Sequence, residues 1–150
     1  MREPLELSVA IVITDAAGGF LAVRRSDDDG TLPGVWGLPA ASVRKGETPR
    51  DAAARAGRDK LGVEVEVLRR IGEAEARRGG RVHRLEEYEA RIVDGVPRVP
   101  QGDASVSQYA DLRYTADPTI LLEAARQGSL CSRILLRTRG LDPDQEGPAR

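Results

Sequence analysis

Aromatic residues, cysteine and histidine are scarce in this chain, and each scarcity removes a class of function. One Phe, one Trp and three Tyr leave too few rings for the stacking platforms on which single-stranded nucleic acids are bound. Cys131 is the only cysteine. No intrachain disulfide can form, no CxxC or Cys/His cluster exists to hold zinc, and a reducing, cytoplasmic setting is expected. His83 is the only histidine; on a predicted strand it reads as a packed or surface residue, and nothing nearby builds a Ser/His/Asp or Cys/His arrangement around it. No apolar run approaches the roughly 18 residues that a membrane span needs, and nothing at the N-terminus reads as an apolar signal segment. An excess of one charge is missing too. Lys plus Arg is 23 against 24 for Asp plus Glu, a formal net charge of -1, so there is no overall pull toward nucleic acid or an anionic membrane. Any anion site must be local.

What is present is an interleaving of strand and helix patterns. At 150 residues the chain suits one domain, expected over residues 1–140, with "LDPDQEGPAR" (141–150) as a flexible tail. Leu5, Leu7, Val9, Ile11 and Ile13 alternate with smaller or polar residues, the period of a half-buried strand. A turn over 15–19 leads to a second strand, "FLAVRR" (20–25). Residues 26–42 are too rich in Gly, Pro and Asp to be regular throughout and read as a long loop. Thr48 then offers an N-cap, Pro49 suits the first helical turn, Asp51 stands three residues after the cap, and Gly62 stops the helix after Leu61. "VEVEV" (63–67), "RVHRLEEYEARIV" (81–93) and "YADLRYT" (109–115) read as further strands. Asp117 and Pro118 open a helix over 118–127, and 129–139 reads as another, ended by Gly140. This order favours an α/β or α+β sandwich over a bundle or an all-β barrel.

"VWGLPAASVRKGETPRDAAARAGRDKLGV" (35–63) resembles the Nudix signature, Gx5Ex7REUxEExGU with U aliphatic, preceded by a W-x-L-P-G-G loop entry. Trp36, Leu38, Pro39, Val43, Gly46, Glu47, Arg55, Gly62 and Val63 all fall in register. The resemblance extends over roughly residues 5 to 137 and takes in an arginine-bearing strand end at Arg24 and Arg25. It implies an α/β/α sandwich with a mixed β-sheet. In the family it resembles, the helix after the loop supplies carboxylates that bind magnesium, and the ions polarise a diphosphate and activate water.

The mismatches fall on that chemistry. Magnesium prefers oxygen ligands in octahedral geometry, so carboxylates must face it together. Positions 56, 59 and 60 share one helical face, and here they are Ala56, Asp59 and Lys60. Ala40 and Ala41 stand where the resemblance implies paired glycines, and Arg44 where glutamate is common. Each exchange at 44, 56 and 60 makes the site more positive. An ammonium at Lys60 is suited to stand where a metal stood and to neutralise phosphate as a point charge.

Three readings follow. The favoured one is a non-catalytic or impaired binder of a nucleotide or other anionic diphosphate-containing small molecule, with a regulatory or accessory role, no cofactor and a possible homodimeric state; Arg24, Arg25, Trp36, Arg44, Lys45 and Lys60 would line its site. The second is a hydrolase that retains Mg or Mn on Glu47 and Asp59, with Asp103 as an added acid where the resemblance places one. The third is a protein-interaction subunit. Arg55 is expected to bridge carboxylates and orient the helix. Glu47 is expected either to receive Arg55 or to serve as a residual base or ligand. Gly57 should permit close packing of helix on sheet, and Cys131 should pack as a small apolar residue.

Overall fold

The computed structural model describes residues 5–27, 30, 32–99 and 109–145. Seven strands form two sheets: β1 (Leu5–Ile13), β2 (Phe20–Arg25), β3 (Trp36–Gly37), β4 (Ala40–Ser42), β5 (Glu64–Arg78), β6 (Arg81–Asp94) and β7 (Tyr109–Thr115). One sheet is mixed, in the order β4-β1-β6-β5, with β1 and β6 parallel and its other pairs antiparallel. The second is antiparallel, in the order β3-β2-β7. Helix α1 (Pro49–Leu61) covers one face of the larger sheet. A 3-10 turn (Pro118–Leu121), α2 (Leu122–Arg126) and α3 (Leu130–Thr138) lie on the other side. This is the α/β/α sandwich with mixed sheet that the resemblance implies. No helix among the described residues is long and apolar enough to cross a membrane.

β1 was expected to be half-buried, but Val9 to Ile13 are all at most 3% exposed, because helices cover both faces of its sheet. The alternation still sorts the residues. Val9, Ile11 and Ile13 enter the core beneath α1, whereas Ala10 and Val12 enter the core beneath α3.

Helix α1 begins and ends where the sequence signals stand. The Thr48 hydroxyl accepts from the Asp51 backbone N–H at 3.1 Å, a cap worth about 1 kcal/mol. Gly62 takes φ 70° and donates its N–H to the Arg58 carbonyl, a left-handed closure that side chains resist. Gly57 faces the sheet, where an added Cβ would stand 3.1 Å from Val65 Cγ1 and 3.3 Å from the Val63 carbonyl oxygen. Its absent side chain lets α1 lie close on β5, as expected. Arg50 completes the seam by donating to the carbonyls of Val67 and Leu68, beside the irregular register between Val67 and Arg70 that leaves the ladder locally unpaired.

Several expectations change in detail. The loop over 26–42 contains β3 and β4, two strands too short to show a period. β5 runs to Arg78 rather than ending near residue 67, since β6 supplies a partner along its length. The stretch 118–127 divides into the 3-10 turn and α2. Residues 141–145, placed in the tail by the sequence, are tied down: Arg133 pairs with the Asp144 carboxylate at 2.8 and 2.9 Å, and Arg126 donates to the Pro143 carbonyl.

One buried group was not foreseen. Glu87 on β6 is fully buried, and neither carboxyl oxygen has a hydrogen-bond partner among the described residues. Burial pushes its pKa well above the ordinary 4.5, because the low-dielectric surroundings favour the uncharged acid. An acid raised in the fold contributes most favourably below its unfolded pKa, and stability falls as pH rises toward the folded value. Glu87→Gln is therefore expected to raise the melting temperature at pH 8 relative to wild type, with a smaller gain at pH 4. Thermal unfolding at both pH values checks this, and an equal effect at both would refute it.

Candidate functional site

Arg55 organises the turn between β4 and α1. Its Nε donates to Glu47 Oε2 at 2.9 Å, and its Nη2 to Glu47 Oε1 at 3.0 Å and to the Ser42 carbonyl at 2.6 Å. Nη1 lies 3.6 Å from Asp59 Oδ2. Glu47 also accepts from the Arg44 backbone N–H at 3.0 Å. The Arg55 bond, followed by that backbone donor, holds the Glu47 carboxyl at about 2, and the same pairing raises the Arg55 pKa. Glu47 thus receives Arg55 in a salt bridge.

The face that would meet a metal is filled differently. Ala56 is fully buried, Asp59 is held toward Arg55, and the Lys60 ammonium lies 5.4 Å from the centre of the Tyr109 ring. That ring is fixed through its hydroxyl, which accepts from the Ala40 backbone N–H at 3.1 Å. Among the described residues, no three His, Cys, Asp or Glu side chains gather as a metal shell needs. A methyl group, a paired carboxylate and an ammonium do not fit the oxygen set that magnesium requires. Asp103 lies outside the described residues.

A cavity of about 430 Å³ opens beside this face. Ser42, Ser8 and Leu85 are cross-strand neighbours on its floor, and the α2–α3 junction with the first turn of α3 forms a wall. Of the residues expected to bind ligand, Arg25, Trp36 and Lys60 line it. Arg24, Arg44 and Lys45 do not. Arg24 pairs with Asp27 at 3.5 Å, and Arg44 and Lys45 are exposed on the turn before α1. The Arg113 guanidinium lies 4.6 Å from the centre of the Trp36 ring, so the indole is braced as well as lining the cavity. Cys131 is buried at the floor, where burial and then Glu87 push its thiol up; it packs as a small apolar group, as expected.

Sequence reasoning missed Arg78 and Arg84 at the far end of the cavity and Tyr109 beneath Lys60. The run "RRGGR" (77–81), which contains Arg78, is a short basic stretch suited to touching phosphate, but the sequence alone favours a solvated hairpin end. His83 was dismissed as packed or superficial; its Nδ1 stands 3.2 Å from Glu6, and it too lines the cavity.

The Glu47–Arg55 pair makes a pH-dependent contribution. A depressed carboxylate pKa stabilises the fold above the unfolded value near 4.5, and the benefit disappears as pH falls through about 2. Glu47→Gln is expected to melt below wild type at pH 7, with the difference closing between pH 4.5 and 2. A difference independent of pH would mean that the charge contributes nothing.

A sequence profile of the NUDIX domain matches residues 4–109, more than half of the chain. Among similar solved structures, a NUDIX hydrolase from Nitrosomonas europaea superposes with a TM-score of 0.71 at 17% identity, covering 92% of this chain and 90% of its own. The MutT protein of Methanosarcina mazei Go1 gives 0.67 at 18%, with 93% and 96% covered. The E. coli ORF135 protein gives 0.67 at 21%, with 91% and 94% covered. No curated protein sequence matches. With its sheet order, its helix after the loop and this profile match in agreement, the chain belongs to the NUDIX domain family.

Proposed function

We propose that this protein binds an anionic, nucleotide-type small molecule, a nucleoside diphosphate or a derivative of one, and that side-chain cations neutralise its phosphates in place of a metal. The observation that carries the proposal is the composition of the cavity wall. Arg25, Lys60, Arg78 and Arg84 line it, with no aspartate or glutamate among the described lining residues. A cavity near 430 Å³ has the size of a small-molecule site, and its lining mixes apolar side chains with hydroxyls and cations. Phosphates entering it would meet fixed positive charge within low-dielectric walls, where Coulomb attraction is stronger than in water.

The altered box supports the same reading. Metal-assisted attack on a diphosphate needs a cation to polarise phosphorus and to activate water. An ammonium can neutralise phosphate oxygens, but it offers no open coordination position for a water nucleophile. Lys60 therefore supplies the electrostatic half of the reaction and not the nucleophile. A protein so built retains its ligand unchanged, which suits a regulatory or accessory role.

Two experiments test this. In calorimetric titration without metal, Lys60→Ala is expected to weaken binding of ADP about tenfold, the loss of one charge-assisted contact; unchanged affinity would refute the role of Lys60. Formation of nucleoside monophosphate from nucleoside triphosphates and nucleoside diphosphate derivatives, with Mg or Mn, followed chromatographically, is expected to be absent for wild type. An Ala56→Glu/Lys60→Glu double variant is expected to gain activity and a metal-dependent rise in melting temperature, since Glu at buried position 56 needs a cation beside it. Metal-dependent turnover by wild type would instead establish a hydrolase.

A further inference from the structure

The cavity has two cationic ends, and the sheet register sets their separation. At one end stand Lys60 and Arg25, near Tyr109 and the Ala40 N–H on β4. At the other, His83 lies near the start of β6 and Arg78 at the close of β5, across from the α2–α3 junction. β4 and β6 flank β1. Along β1, Ala40 pairs with Ala10 and His83 with Glu6, so the backbones of Ala40 and His83 lie two interstrand spacings, roughly 10 Å, apart across the sheet and four residues apart along it; Lys60 and Arg25 reach the Ala40 end from α1 and β2. The floor between them includes Leu38 and Leu85 with Ser8 and Ser42, neutral groups that hold no anion by charge.

The far end is not simply a cluster of mutually cancelling charges. Arg81 and His83 share Glu6, and Arg84 is matched by Glu73. Arg78 instead donates to the Gly128 carbonyl, and no carboxylate among the described residues pairs with it. A carbonyl fixes the guanidinium without cancelling its charge. The remaining N–H groups of a planar fork suit two oxygens of one phosphate or carboxylate.

We infer that the ligand carries two separated anionic groups: its diphosphate at Lys60 and Arg25, and a second phosphate or carboxylate at Arg78, joined by an uncharged spacer. Adjacent phosphates of a diphosphate share a bridging oxygen, so one diphosphate does not reach both ends. The inference rests on the anion-binding function proposed above and narrows its ligand class to nucleoside diphosphate derivatives with an additional acid on the distal moiety.

The test compares matched ligands that differ by one anionic group outside the diphosphate: NADP+ against NAD+, and UDP-glucuronate against UDP-glucose, titrated calorimetrically without metal beside ADP. The doubly anionic member of at least one pair is expected to bind about tenfold more tightly, the yield of one charge-assisted contact. Arg78→Gln is expected to bring that ratio to about one, Arg78→Lys to keep part of it, and Arg78→Glu to invert it. If ADP binds and neither pair is discriminated, or if the ratio survives in Arg78→Gln, the inference fails while the anion-binding reading stands. If no ligand of the panel binds wild type, the anion-binding reading fails and takes this one with it.

Discussion

The site depends on one guanidinium. Arg55 reaches back from α1 to the carboxylate of Glu47 and the carbonyl of Ser42, and forward to Asp59. It thereby fixes β4, the turn and the helix relative to one another, and sets the positions of Ala40 and Lys60. A bidentate pair of this kind constrains direction as well as distance. In a metal site, a divalent ion gathers the surrounding carboxylates. Here the Arg55 guanidinium joins a carboxylate of the turn, a carboxylate of the helix and a backbone carbonyl of β4.

That constraint gives the substitutions a physical coherence. Ala56 is buried without cost because nothing there needs solvation or a counter-ion. Lys60 lies against an aromatic ring that attracts cations through its electron-rich face. The same turn and helix present positive charge where the family signature presents negative charge.

The legible parts of the sequence were those governed by local rules. The cap at Thr48, the stop at Gly62, the alternation in β1 and the strand character of β6 and β7 each follow from a few neighbouring residues, and the structure has these elements where they were read. Gly57 was legible for the same reason: a glycine inside a helix pattern invites a packing explanation. The short strands β3 and β4 were not, since two or three residues carry no period and their pairing with β2 and β1 is supplied by tertiary contact. The reach of β5 to Arg78 was hidden likewise, because glutamate, arginine and alanine there have little preference for a strand without β6 alongside. In the site, Arg25, Trp36 and Lys60 were found through motif register, whereas Arg24, Arg44 and Lys45 share their charge but not their direction. Arg84 and Tyr109 were invisible because cavity walls are assembled from segments far apart in the chain. Glu87 was invisible because the run "LEEYEA" resembles a strand with all its acids in water.

Gly72 on β5 sets a dimension that none of the cavity residues controls. A Cβ there would lie 2.7 Å from Ile134 Cγ2, so α3 rests on the sheet at a depth that only a hydrogen atom permits. The first turn of that helix carries Leu130 and Cys131, which form part of the cavity wall. A methyl group at position 72 would act as a shim beneath the helix, and the opening some distance away would change in width without any change to the residues that face the ligand. In this fold, the caliper of the pocket is a backbone contact on its opposite side.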